Sequence, residues 1–376
     1  MTGLEASERP PLRVLHLSTP RSWRGGEQQA AYLLQGLRLQ GVESLVLCPE
    51  GAALAVYCSR HAFQLETFPG FGPPGLTAAR LCARLAASGH FDCIHTHDAR
   101  AHSAAVLAAV LFGMRQPIIV SRRVDFPLRS GFMTQWKYRH KQVCAIVCVS
   151  QAIREVVRAS LQSEKRLEVV YSGVDLQRFG AGSDGRLRRE LQIDPDVPLI
   201  ANVAATAPHK DYPTFIRTAE RLVKQGIKAH FVIIGDGPDR AALQASVDAM
   251  PDLRGRLTFT GFRDDIERIL PELDVFLITS RTEGLGTSIL DAFAAGVPVV
   301  ATRAGGIPEL VRHESTGLSA PVADDAALAG QVARLLHAPD LRATLIKQAR
   351  VFVQDFDWRK TAAATLEIYQ SCVRRS

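Results

Sequence analysis

At 376 residues the chain is longer than one hydrophobic core usually supports, so two domains are expected. Its 47% hydrophobic and 22% charged residues exclude a disordered or fibrous chain, and its longest strongly apolar run, Ala104–Met114, is well short of the roughly 20 residues that cross a bilayer. The net charge of +7 is unevenly spread: residues 1–178 carry 21 Lys+Arg against 13 Asp+Glu, the remainder 24 against 25.

That asymmetry points to an anionic partner for the first half, such as an acidic or phospholipid-linked acceptor or an anionic membrane surface, although a merely solubilising basic face gives the same counts. The leader MTGLEASERPP carries acids and no apolar core, unlike a signal peptide, so a cytoplasmic protein is expected, peripheral at most on the inner face of a membrane. Seven scattered cysteines (Cys48, Cys58, Cys82, Cys93, Cys144, Cys148, Cys372) without a Cys-x-x-Cys pair read as reduced thiols, with no disulfide framework and no zinc site.

After the leader, RVLHLS (Arg13–Ser18) reads as a buried strand and Gly26–Gln40 as an amphipathic helix with Leu33, Leu34 and Leu37 facing in. The turn between them, TPRSWRGGEQQ, forms a strand–glycine–helix elbow. There Gly25 and Gly26 let an anion approach main-chain amides, and a plain connecting turn accounts for the same glycines. It is not a GxGxxG fingerprint, so a dinucleotide site is not indicated. Strand-like runs recur at ESLVLC (43–48), CIHTH (93–97), PIIVS (117–121), AIVCVS (145–150) and LEVV (167–170), with helical stretches between. Such alternation predicts a doubly wound parallel sheet with ligands at the carboxyl ends of its strands, where His97-Asp98 falls. Residues 122–141 interleave Arg122, Arg123, Arg129, Lys137, Arg139 and Lys141 with Phe126, Phe132, Trp136 and Tyr138. Such a segment suits a lipid headgroup layer or single-stranded nucleic acid. Its place after a strand end favours acceptor or membrane contact, with Arg122 and Arg123 as acceptor candidates, over nucleic acid.

Periodicity fades over Tyr171–Pro198, which sets the expected organisation: domains over 1–175 and 176–355, then a C-terminal helix over 356–376. Asp194-Pro195-Asp196 and Asp355-Phe356-Asp357 have the acid-x-acid spacing of metal-dependent transferases, but the first sits in a proline turn and the second precedes a helix. Both are read as structural, and no essential metal is expected. The second half repeats the alternation at LIANVA (199–204), HFVIIG (230–235), LTFTG (257–261), VFLIT (275–279) and VPVVAT (297–302), with a helix over Thr214–Gln225. Lys210 lies in the loop after the first of these strands, where an ammonium can meet phosphate. After VFLIT, Glu283-Gly284-Leu285-Gly286 reads as a turn, and Thr287 or Ser288 as the cap of a helix through Ala295. That elbow aims amides and the positive helix end at one point, with Glu283 and Asp291 facing the same crevice. Ser288-x-x-Asp291 equally fits a capping box, in which Asp291 serves only the helix end.

The acid, seven residues, acid spacing from Glu283 to Asp291, followed by GVPVVAT and GGIPE, resembles the signature of retaining glycosyltransferases of family 4, which have the GT-B fold. The resemblance is strong over 275–309 and looser over 13–30, 93–98, 145–175 and 199–211. It implies two Rossmann-like domains facing across a cleft and a tail that crosses back to the first. It further implies that Glu283 contacts the donor sugar, that the amides of Leu285, Gly286 and Thr287 hold the diphosphate, and that Asp291 binds the ribose. His97 then reaches the donor sugar, Lys210 meets phosphate, Gly235 and Phe262 shape the base pocket, and Gly25, Gly26 and Glu27 line the cleft beneath donor and acceptor. Three residues depart from the family pattern: Asp291 stands for Glu, Asp211 for Gly and Ala205 for Arg, leaving Arg281 as the candidate second phosphate clamp.

The function expected is a retaining glycosyltransferase that uses a nucleotide-diphosphate sugar, UDP-linked, and a saccharide or lipid-linked acceptor of the lipopolysaccharide kind, without a cofactor. A nucleotide-sugar epimerase and a non-catalytic sugar-nucleotide-binding protein are the rivals. The absence of a hydrolase-type carboxylate pair disfavours a glycosidase.

Overall fold

Two parallel sheets, each flanked by helices, divide the computed structural model, which describes residues 10–69, 75–128, 131–161, 165–180 and 182–374. Residues 1–9 of the leader and Arg129 of the basic segment lie outside the described residues. The first sheet holds β1 (Arg13–Leu17), β2 (Glu43–Pro49), β3 (Gln64–Phe68), β4 (Cys93–Thr96), β5 (Ile118–Arg122), β6 (Val143–Cys148) and β7 (Leu167–Val169), in the order β3-β2-β1-β4-β5-β6-β7. The second holds β8 (Leu199–Val203), β9 (His230–Ile234), β10 (Leu257–Gly261), β11 (Val275–Ile278), β12 (Val299–Thr302) and β13 (Leu318–Ala320), in the order β10-β9-β8-β11-β12-β13. This is the GT-B architecture. The strands form because helices cover both sheet faces, so β4, β11 and β12 are buried at every position and can be continuous apolar runs.

Strand order reverses between β1 and β4 in one sheet and between β8 and β11 in the other. At such a switch point the adjacent crossovers leave to opposite faces and open a crevice at the strand carboxyl ends. The Gly25–Leu39 helix follows β1, His97 follows β4, Lys210 lies beyond β8, and Glu283 lies beyond β11, so both switch points carry candidate residues.

The final helix, Trp358–Val373, packs on the Gly25–Leu39 helix of the first domain. Gly36 there lacks room for a side chain, since a Cβ would lie 2.3 Å from Ala362 Cβ, and the Tyr32 and Trp358 rings stack 6.1 Å apart. Asp357 caps this helix by accepting the Arg359 N–H at 2.7 Å, and Asp355 pairs with Lys360, which gives that acid-x-acid motif structural partners. One expectation is corrected here. Cys144 on β6 and Cys372 on the final helix form a disulfide, while the other five cysteines are free and buried. A sequence separation of 228 hides this pair from sequence inspection, because only the return of the tail brings its halves together.

Candidate active site

The C-terminal half of the site is built on the loop after β11. Ser280 donates to Glu283 Oε2 at 3.1 Å, and the Lys210 ammonium forms an ion pair with the same oxygen. Thr279 Oγ1 ties the two loops by donating to the Lys210 and Asp211 carbonyls at 3.1 Å each. The chain enters the Thr287–Ala295 helix through Gly286, whose φ of +89° favours glycine, and not through a Thr287 or Ser288 cap. No side chain caps this helix, so its first amides face the cleft and the capping-box alternative for Asp291 is not realised. Leu285 keeps its side chain in the core and offers the cleft only its main chain. Below the loop, Gly305 and Gly306 leave no room for a methyl group, since a Cβ would stand 2.1 Å from Glu283 O and 2.3 Å from Gly284 O.

Asp291 is half-buried and has no hydrogen-bond partner among the described residues. Desolvation pushes its carboxyl up to about 6, against the pull of the nearby Arg178 guanidinium. Arg178 itself donates twice to Glu267 Oε2, at 3.1 and 2.7 Å, and lies close to Tyr32 of the first domain. Gly235, with φ of +139°, packs against the Ala204 carbonyl at the end of β8, and Phe262 lies exposed just past β10.

One departure from the family pattern, Asp211 in place of Gly, now has a physical account. Asp211 adopts the left-handed region (φ +49°), which Asp tolerates better than most residues, and its buried carboxylate accepts from Thr214 Oγ1 at 2.7 Å. The same carboxylate pairs with Arg281 Nε at 2.9 Å. Arg281 is thereby engaged by the carboxylate of Asp211, next to Lys210, and is not a free cation standing in for the arginine absent at Ala205.

In the N-terminal half, the start of the Gly25–Leu39 helix abuts the donor loop: a Cβ on Gly25 would be 3.4 Å from Thr287 Oγ1, while Gly26 has open space around it. Glu27 turns back to accept the Arg24 N–H at 3.0 Å and is 5% exposed, so its carboxylate holds the elbow rather than presenting itself to an acceptor. Arg122 is also corrected as an acceptor contact. Its buried guanidinium donates to the Phe126 carbonyl at 2.5 Å and lies 4.9 Å from the Phe126 ring centroid. One residue on, the parity reverses, and Arg123 turns into the cleft, where Nη2 lies 3.5 Å from His97 Nδ1.

His97 belongs to a cluster with His95, already legible two residues before it in CIHTH, and with His16, which sequence inspection missed. His16 on β1 and His95 on β4 stand in register, and His16 Nδ1 lies 3.0 Å from His97 Nε2. A guanidinium only donates, so His97 Nδ1 accepts and its Nε2–H donates to His16, leaving His16 Nε2–H as a buried donor without a partner. His95 bonds to Tyr369 OH at 2.5 Å and Ser121 Oγ at 2.8 Å, so the returning tail reaches the floor of the site. Burial lowers all three imidazoles and keeps them neutral, His16 to about 3. Their nitrogens lie within 4.8 Å of one another, close enough for one divalent ion, although the Arg123 cation borders the same space. Glu309, Ser150 and Tyr171 were likewise missed. Glu309 ends the GGIPE motif, which was the available signal.

A model of "Glycosyl transferases group 1" matches residues 183–352, and a model of "Glycosyltransferase Family 4" matches residues 23–178. The 2-deoxystreptamine glucosyltransferase of Streptomyces kanamyceticus is 30% identical over 262 residues, 68% of this chain and 67% of the relative. The chain belongs to glycosyltransferase family 4. The D-inositol 3-phosphate glycosyltransferase of Saccharomonospora viridis is 29% identical over 318 residues, 76% of this chain and 71% of that protein. Among solved structures, HepE of Anabaena in complex with UDP-glucose superposes with a TM-score of 0.82 at 21% identity, covering 96% of this chain and all of that one. The glycosyltransferase therefore has the fold of a family whose members join sugars to differing acceptors.

Proposed function

We propose that this glycosyltransferase moves a sugar from a UDP-linked donor with retention of anomeric configuration, using no essential metal or other cofactor. One observation carries the reading: two helix N-termini, one from each domain, meet beside the Lys210–Glu283 pair. Rupture of the sugar–phosphate bond leaves positive charge on the sugar and negative charge on the departing diphosphate. An ammonium and helix-end amides inside a narrow cleft suit the second of these. The donor phosphate then competes with Glu283 for Lys210, and the released carboxylate, with His97, orients the sugar. Asp291 meets the ribose, and Gly235 and Phe262 border the base.

The acceptor in this reading is a saccharide or lipid-linked precursor of a surface glycan. The basic first half supports it, as do Phe126, Phe132 and Met133, which stand exposed on one domain and suit a peripheral position on an anionic membrane. Lys137 and Arg139 contribute less to that face than their charges suggest, because they donate to the Ala99 and Leu161 carbonyls of their own domain. No helix among the described residues is long and apolar enough to cross a membrane.

A panel of nucleotide sugars tests the donor. The matching one should raise the melting midpoint by a few degrees at about 100 times its Kd, and NMR of the product should show the donor's own anomeric configuration. An inverted product sinks retention, and turnover of donor without acceptor favours an epimerase.

The Asp291 carboxylate gives a second expected result. Its charged form accepts ribose hydroxyls better than its acid form, so nucleotide affinity should fall as pH drops through about 6. Calorimetric titration of the matching UDP-sugar, which unlike UDP has no phosphate group titrating between pH 5 and pH 8, should show that decline in the wild type and a flat profile in Asp291→Asn. A flat wild-type profile removes Asp291 from the ribose site.

A further inference from the structure

From the geometry of the domain interface we infer that Glu309 is a positioning residue: its carboxylate latches the donor loop to the N-terminal domain, so that closure of the cleft sets the geometry of Glu283. The inference rests on the reading of 283–287 as the donor loop. Glu309 lies one turn beyond the Gly305-Gly306 pair, in the C-terminal domain, yet all three hydrogen bonds of its carboxylate cross to the other domain. The Gln151 and Ala152 N–H groups, which open the Gln151–Leu161 helix, donate to its two oxygens at 2.9 and 2.8 Å, and Tyr171 OH donates at 2.8 Å. A carboxylate at the positive end of an 11-residue helix is held by both hydrogen bonds and the macrodipole.

A second contact runs beside it. Ser150 Oγ accepts the Ile153 N–H at 3.2 Å and donates its own proton to the Gly284 carbonyl at 2.7 Å, so the same helix start grips the donor loop directly. Between these anchors, Gly306 N–H donates to the Glu283 carbonyl at 2.9 Å, which joins the Glu309 segment to the residue whose carboxylate faces Lys210. The main chain at 283–284 is thus clamped from below by its own domain and from the side by the other. A donor-bound cleft that opened would lose the Glu309 and Ser150 contacts together.

The consequence separates binding from turnover. Lys210, the 285–287 amides and Asp291 all belong to the C-terminal domain and remain to hold nucleotide in an open cleft, whereas transfer also needs the groups of the N-terminal domain. Glu309→Gln keeps the size of the side chain but loses its charge, and Glu309→Ala removes the latch. Transfer kcat should fall about tenfold in the first and about a hundredfold in the second, with UDP affinity within about twofold of wild type. Tyr171→Phe, which removes one bond of three, should fall about threefold. Small-angle scattering of the full chain should show a larger radius of gyration for Glu309→Ala than for wild type. Two results overturn the latch: a kcat within twofold of wild type in Glu309→Ala, or equal losses of UDP affinity and turnover in Glu309→Gln, which would make the residue a support of its own domain. If the wild-type chain transfers no sugar, the scattering comparison still decides, because equal radii sink the latch and an expanded variant sustains it.

Discussion

Lys210→Ala should lower sugar transfer by about 10²–10³-fold, the usual cost of removing one group that stabilises charge developing in the transition state. The structure adds a less obvious expectation. The Lys210 and Glu283 side chains are only 16% and 14% exposed and are paired with each other, so removing the ammonium leaves a carboxylate in a poorly solvated place. Lys210→Ala should therefore lose about 1–3 kcal/mol of stability, while the double variant Lys210→Ala/Glu283→Gln should recover part of it. Activity should not recover, since Glu283→Gln alone removes the group that orients the sugar. A double-mutant cycle read by thermal melts and by initial rates checks both halves. Melts that add independently would mean that the pair is not coupled in solution. Near wild-type turnover in either single variant would remove that residue from the mechanism.

Most of the architecture was readable because parallel strands covered on both faces are written as short apolar runs. VFLIT and VPVVAT announce β11 and β12 for that reason. The strands left unread were β3, an edge strand with three of its five residues exposed, and β13, which has three residues. The donor loop was readable for a different reason: its glycines answer to local backbone demands, such as the φ of +89° at Gly286. What could not be read depends on which side chain meets which across the fold. Arg122 and Arg123 are adjacent basic residues in sequence, yet strand parity buries one under Phe126 and delivers the other to His97. Arg281 follows the donor strand, but its partner Asp211 lies 70 residues earlier, so the ion pair that engages it is invisible in the sequence. His16 gave no signal in RVLHLS, because its meaning comes from the register that sets β1 against β4. Glu309 stood in plain view within GGIPE, but its role resides in the opposite domain.

Gly284→Ala should separate closure from binding more cleanly than any charge substitution. Gly284 does not use the left-handed region, so alanine is compatible with its backbone. The obstacle is the other domain: an added Cβ would lie 2.2 Å from the Arg123 carbonyl oxygen and 3.3 Å from Ile153 Cδ1. A methyl group therefore fits the C-terminal domain alone and clashes only when the cleft is shut. Gly286→Ala is the contrasting case. There φ of +89° penalises any side chain, and the new Cβ would lie 2.9 Å from Ile289 Cδ1 within the same domain, so the amides themselves are displaced. Gly284→Ala should bind UDP almost as wild type does and yet lose transfer by about a hundredfold, because a displacement on the order of 1 Å at the reacting centre costs that much. Gly286→Ala should lose both. Calorimetry with UDP, set beside initial rates for the two variants, distinguishes these outcomes. If Gly284→Ala kept its kcat within threefold of wild type, the approach of Arg123 to the donor loop would not be the geometry in which the sugar is transferred, and catalysis would have to proceed with the two domains farther apart than they stand here.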